Sequence, residues 1–142
     1  MTIREFRGNN AFLSNFYYTQ VSYNGKVYPT AEHAYQAQKT INEDMRETIK
    51  ALSSPARAKA VGEVLPLRAN WDRIKLAIMH EIVWVKFQEP SLRAALLSTS
   101  DEPLIETNAW NDTFWGICRG VGNNWLGVIL MLVRSEIMEE RE

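Results

Sequence analysis

Apolar residues recur three and four positions apart through most of the chain and alternate in only one short stretch. From Trp71 to about residue 88, Trp71, Ile74, Ile78, Ile82 and Val85 fall on one helical face, with Met79, Val83 and Phe87 beside them. That spacing predicts the longest helix, opened by Asn70. Pro90 is expected to stop it, and Ser91 to restart a helix running to about Leu97. A last helix opens at Asn124 and turns Leu126, Ile129, Leu130, Val133 and Ile137 inward. Upstream, Asn42 caps a helix with Glu43 and Asp44 in its first turn and Met45, Ile49 and Leu52 along one side. Ser54-Pro55, an N-cap followed by proline, opens a short helix expected to end near Gly62.

The strand signal is confined to residues 16–28, FYYTQVSYNGKVY, which are rich in β-formers on either side of Asn24-Gly25. Such a pair is the strongest short hairpin signal, so a small hairpin is predicted. Residues 99–123 carry no helical period and read as an irregular loop with a short strand at Leu104-Ile105. The pattern predicts a mainly helical α+β fold with a small β-sheet, as a single domain over residues 1–142.

Composition alters this picture little. Apolar residues make up 46% and charged residues 23%, an ordinary globular balance. A net charge of -1 supplies no basic field for a long nucleic-acid duplex, but a small phosphorylated ligand needs only a few local cations. The single cysteine, Cys118, forms no intrachain disulfide and no thiolate cluster for zinc. No apolar run approaches the ~18 residues of a membrane span, and MTIREFRGNN lacks a signal-peptide core. The expectation is a cytoplasmic protein without a membrane partner; its oligomeric state has no signature in the sequence.

Candidate chemistry begins with YPTAEHAYQAQKT, residues 28–40. Thr30 reads as the N-cap of a helix over roughly 31–40. On it Glu32, Tyr35, Gln36 and Lys39 form one stripe, with the small Ala31, Ala34 and Ala37 elsewhere and His33 one position round. Glu32 lies in the first turn, where the helix dipole favours the ionised carboxylate. That form suits a general base or an electrostatic stabiliser of a cationic transition state. Lys39 offers a point charge for a phosphate or a carboxylate. The plainer alternative is a solvated Glu/Lys face.

A second segment, IETNAWNDTFWG at residues 105–116, tilts the choice towards chemistry. Trp110, Phe114, Trp115 and, further on, Trp125 lie in a stretch of low periodicity, well placed to stack on a planar ligand. A loop of this length is uncommon in a compact domain and is usually functional or disordered, and its aromatics argue against disorder. Asp112 could act on a substrate or simply form an Asx-turn, and Asn108 and Asn123 have the same two readings. GVGNNWLG, before the last helix, is only a weak anion signal, lacking a full glycine-rich fingerprint.

Five segments, FRGNNAFLSNFY, YNGKVYPTAEHAYQAQKT, NWDRIKLAIMHEIVWVKF, ETNAWNDTFWG and GNNWLGVILMLVR, together resemble the YbiA-like or NADAR domain family from about Phe6 to Arg134. The resemblance implies N-glycosidase activity, cleavage of the bond between a ribose anomeric carbon and a nitrogen. One implied substrate class is the phosphoribosyl-pyrimidine intermediates of riboflavin synthesis; another is ADP-ribose on guanine, including in nucleic acid. It implies no metal and no cofactor. By position it makes Glu32, Lys39 and Asp112 the catalytic candidates and Trp115 a wall for the base, with Asn15 and Phe16 in a ligand-contacting turn, LSNF. Tyr35, Asn108, Trp110 and Asn123 join them as substrate-binding candidates, and Lys39, Arg57 or Arg68 would meet the phosphate. Cys118 stands where the family pattern WGIG has its second glycine, and the interval between residues 106 and 112 is longer. The catalytic expectation is that Glu32 and Asp112 face one sugar carbon as it turns cationic. The rival classes are a module that holds ADP-ribose or a nucleotide without cleaving it, and a protein-interaction domain.

Overall fold

A computed structural model describes residues 1–140. The described residues form two compact units, residues 15–86 and residues 1–14 with 87–140. Among the described residues, six helices and four short strands, preceded by a 3-10 turn at Gly8–Leu13, make it a mainly helical α+β fold, as the periodicity predicts.

In the unit of residues 15–86, β1 (Tyr18–Tyr23) pairs antiparallel with β2 (Lys26–Thr30), in the register Val21 to Tyr28 and Tyr23 to Lys26. Asn24 and Gly25 close the hairpin at φ 48 and 82, the left-handed pair that a tight turn needs. The strands begin two residues later than the sequence suggests, which leaves Phe16 and Tyr17 outside the ladder.

The hairpin leads directly into α1 (Ala31–Ala37), the centre of this unit. All seven of its residues are buried. It packs against both hairpin strands and against α2 (Glu43–Lys50), α3 (Pro55–Val64) and α4 (Trp71–Lys86). The caps are the expected ones: Thr30, Asn42 and Ser54 accept the backbone N–H groups of His33, Met45 and Arg57. A solvated Glu/Lys face is therefore not what this sequence builds.

α1 stops at Ala37, three residues short of the predicted end. Lys39 and Thr40 donate to the carbonyls of Gln36 and Ala37 in a tightened turn. The cause lies outside the helix: buried Arg46 of α2 takes the Ala37 and Thr40 carbonyls through Nε, at 3.3 and 2.9 Å. Gly62 also departs from expectation, lying inside α3 instead of ending it. α4 buries Trp71, Ile78, Met79, Ile82 and Val83, whereas Ile74, Trp84 and Val85 are half-buried. Asn70 enters α4 from φ 62, outside the extended region where a capping residue normally sits.

His33 is fully buried and locks α1 to the chain after α2. Its Nε2–H donates to the Leu52 carbonyl at 3.0 Å, and its Nδ1 accepts from the Thr30 hydroxyl at 2.7 Å. That pattern requires the neutral ring. Burial pushes its pKa below the ordinary 6.5, with the Leu52 bond opposing. The unfolded chain therefore binds a proton that the folded one refuses. Stability from this group is present above about pH 6.5 and declines as pH falls towards the lower folded value. In thermal unfolding between pH 7 and 5, His33→Gln should show a shallower acid decline than the unsubstituted chain.

In the other unit, α5 (Pro90–Ser98) and α6 (Trp125–Glu140) pack together. Pro90 does not halt a helix here; it is the first residue of α5, and Glu89 caps it by accepting Leu92 N–H at 3.0 Å. α6 buries Leu126, Ile129, Leu130, Val133 and Ile137, the face read from the sequence. Phe87 is fully buried in this unit, its ring edge-on to Phe12 at 6.4 Å. Leu104 makes only an isolated bridge to Ile3. The strand of this stretch is β3 (Thr107–Asn108), parallel to β4 (Ile117–Cys118).

Candidate active site

In the unit of residues 15–86, the side chains of interest gather where the hairpin enters α1. Glu32 is 8% exposed, which is unusual for a carboxylate. Its N–H donates to the Asn15 carbonyl at 3.0 Å, and its Oε2 accepts from Gln36 Nε2 at 2.5 Å. Asn15 is itself buried, with Nδ2 3.4 Å from Met79 Sδ. Lys39 lies one turn beyond Gln36, with Nζ 3.5 Å from the Gly62 carbonyl and 5.8 Å from the centre of the Tyr35 ring. Burial lowers the Lys39 pKa; the Glu32 and Glu63 carboxylates oppose that shift, and Lys75 and Lys59 add to it. Tyr35 is buried and tilted against Trp71 at 5.4 Å, so it serves as a floor under Lys39.

Of the remaining phosphate candidates, Arg68 belongs to this surrounding. Its N–H donates to the Lys39 carbonyl at 2.8 Å and its Nη1 lies 3.4 Å from the Gln38 carbonyl. Arg57 is exposed on α3, and Phe16 is 38% exposed before β1.

Two residues of this unit escaped the sequence reading. Gly62 is one. A glycine inside a helix costs about 1 kcal/mol relative to alanine, yet a Cβ here would fall 1.8 Å from Gln36 Oε1. Lys86 is the other. It ends α4 fully enclosed, Nζ 5.8 Å from the Tyr17 ring centre, and burial pushes its amine down to about 7. It sits among apolar neighbours in VWVKF, where a lysine at a buried position of the helical period was the available signal.

The aromatic loop in the other unit is organised by Asn108 and Asp112. Asn108 Oδ1 accepts the N–H groups of Trp110 and Asp112 at 3.2 and 3.0 Å, and its Nδ2 donates to the Asp112 carbonyl at 2.8 Å. Asp112 Oδ1 accepts the N–H groups of Phe114 and Trp115 at 3.1 and 2.9 Å. One carboxylate oxygen of Asp112 thus builds the turn. Trp115 is half-buried, edge-on to Phe114 at 4.8 Å, and Trp110 is 57% exposed. Asn123 is exposed, its N–H donating to the Thr113 carbonyl at 2.8 Å. Gly116 makes room for the fold of this loop, since a Cβ there would fall 2.2 Å from Glu106 Oε2 and 2.8 Å from Asn108 Nδ2. Cys118 is buried, its Sγ 3.9 Å from Asn111 Oδ1.

Asparagine can accept the same two N–H groups through its own Oδ1, whereas alanine cannot. Asp112→Asn should therefore keep the turn and test the charge alone. Asp112→Ala leaves two N–H groups to find other partners and should cost about 1–3 kcal/mol in chemical denaturation. If both variants lose equal stability, the turn does not rest on Oδ1.

Among the described residues, no cluster of three or more His, Cys, Asp or Glu is placed to hold a metal ion, and no helix is long and apolar enough to cross a membrane. What the unit of residues 15–86 offers is a fixed, enclosed carboxylate with a lysine two turns further along the chain. Fixed charges of this kind can stabilise charge that develops in a reaction.

Comparison with known proteins gives the family and the enzyme class. The model of the NADAR domain matches residues 4–138, and the chain belongs to that family. N-glycosidase YbiA of Escherichia coli is 40% identical over 133 residues, covering 91% of this chain and 82% of that protein. An N-glycosidase of Nostoc punctiforme is 39% identical, covering 88% and 84%. A riboflavin biosynthesis protein of Vibrio vulnificus is 37% identical over 92% of this chain, but only 36% of that longer protein is matched. The NMR structure of E. coli YbiA superposes with a TM-score of 0.87 at 38% identity, covering 99% of this chain and 87% of that one. The enzyme class that these relatives define is a hydrolase acting on N-glycosyl compounds.

Proposed function

We propose that this chain hydrolyses the N-glycosidic bond of a phosphoribosylated aminopyrimidine, an intermediate of riboflavin synthesis. The observation that carries the reading is the Glu32 carboxylate, enclosed, hydrogen-bonded by Gln36 and accompanied by Lys39. Cleavage of the C1′–N bond builds positive charge on the ribose ring, and a fixed carboxylate stabilises that charge and can orient water. Lys39 and Arg68 supply cations for the substrate phosphate. In the other unit, the family resemblance makes Asp112 a further candidate acid and Trp115 and Trp110 candidate surfaces for a stacked base, worth about 1–3 kcal/mol for each stacked base. Asn15, Phe16 and Tyr35 are proposed as further substrate contacts within the unit of residues 15–86, and Asn108 and Asn123 as candidates within the other unit. The name of the Vibrio relative as a riboflavin biosynthesis protein supports this substrate class.

The test is release of ribose 5-phosphate from an aminopyrimidine ribotide, with ADP-ribosylated guanosine and guanine-modified DNA in parallel. Turnover of the ribotide supports the proposal. Turnover confined to the ADP-ribosyl substrates replaces it with ADP-ribosyl hydrolysis, and tight binding without product replaces it with a binding module.

A further inference from the structure

Gln36 is 4% exposed and holds Glu32 through Nε2, but its Oε1 has no hydrogen-bond partner among the described residues. A buried acceptor left in that state calls for an explanation. The explanation lies in α3. Gly62 faces the Gln36 carboxamide, and a Cβ at position 62 would fall 1.8 Å from Oε1, 2.6 Å from Cδ and 3.2 Å from Cγ. The missing side chain of Gly62 is thus the slot that the carboxamide fills. With the oxygen seated there, the amide nitrogen has to point at Glu32. The reverse orientation would set two oxygens against each other.

We propose that Gly62 and Gln36 are positioning residues for the reaction: the Gly62 slot fixes the Gln36 carboxamide so that its N–H orients the Glu32 carboxylate. The inference rests on Glu32 acting in catalysis as proposed above. It explains a glycine in the interior of a helix with no left-handed φ to require it. The same residue's carbonyl receives Lys39 Nζ at 3.5 Å, so Gly62 meets both the Gln36 carboxamide and Lys39.

The experiment uses Gly62→Ala, Gln36→Ala and the double variant in the full chain. Two readouts are taken: kcat and KM on the ribotide, and the Glu32 carboxyl titration by NMR, which needs no turnover. Gly62→Ala alone should lower kcat on the order of 10- to 100-fold, the worth of one hydrogen bond to a charged group, with KM little changed. The Glu32 titration should move to higher pH, because an N–H donor that favours the charged form is lost. Gln36→Ala should move the titration the same way, and this single variant suffices if Gly62→Ala does not fold. With Gln36 already removed, Gly62→Ala should change kcat by less than about twofold, since the two substitutions break one device. Equal losses from Gly62→Ala in both backgrounds would overturn the proposal, as would an unmoved Glu32 titration in both single variants. A shifted titration with unchanged kcat would leave the slot standing and remove Glu32 from the reaction.

Discussion

Glu32→Gln should lower kcat on an N-ribosylated base by about 10²–10⁴-fold, with thermal stability unchanged or slightly raised. Glutamine has the volume of glutamate and keeps an oxygen for Gln36 Nε2 to donate to, and the main-chain bond from residue 32 to the Asn15 carbonyl does not involve the side chain. What disappears is the charge. At ~4 Å from a cationic carbon, with an effective dielectric of about 20, a unit negative charge is worth roughly 4 kcal/mol, which is near 10³ in rate. The substitution also removes a carboxylate that raises the Lys39 pKa, so any alkaline limb governed by Lys39 should move to lower pH. Steady-state kinetics across pH and a melting curve check all three expectations. Undiminished kcat with an intact fold would exclude Glu32 from the chemistry.

The parts of this architecture that were readable from the sequence are those where the controlling chemistry is local. Asn24-Gly25 takes the backbone angles only a tight turn uses, and Thr30, Asn42 and Ser54 each accept an N–H three residues ahead. The α6 face follows from its period alone. Where a distant group decides, the sequence misleads. The length of α1 depends on Arg46 removing two carbonyls from its end, and nothing in QAQKT announces that. Pro90 looks like a stop because proline breaks helices, yet Glu89 supplies a cap and turns the same residue into a start. Gly62 reads as a terminator when examined along the chain and as a slot when examined across it.

The candidate site divides in the same way. Glu32, Tyr35, Gln36 and Lys39 were visible as a group because they share a helical stripe. Their burial was not, since it comes from the three helices and two hairpin strands packed around α1. For Asp112 both readings were open, and the loop engages one oxygen in the turn-forming one. Lys86 was hidden by its own context: an apolar helical face with one lysine in it reads as core interrupted at the surface, whereas this lysine is enclosed. Trp84 shows the converse, an aromatic on the same helix left half-buried.

Asn124→Ala should be among the most destabilising single substitutions in the chain, costing about 3–5 kcal/mol. As an N-cap it would be worth about 1 kcal/mol, but its side chain serves a different purpose. Asn124 is 8% exposed; its Oδ1 accepts the Glu106 N–H and its Nδ2 donates to the Leu104 carbonyl, both at 2.9 Å. Alanine would orphan both backbone groups, at about 1–3 kcal/mol each. It would also occupy a left-handed φ of 54 that asparagine tolerates better, adding about 1 kcal/mol. Solvent cannot readily repair the loss, because Gly127 brings α6 so close that a Cβ there would fall 2.1 Å from the Leu104 oxygen. Asn124→Asp keeps the acceptor and loses the donor, so it should cost roughly half as much. The segment held this way runs from Leu104 through Glu106 to Asn108, the residue that clasps Asp112. Urea denaturation should show a lower midpoint at constant slope for both variants, ordered Ala below Asp. A loss under 1 kcal/mol for Asn124→Ala would mean that water reaches the two backbone groups, and that the Leu104–Asn108 segment is held by β3–β4 pairing and the Ile3 bridge instead.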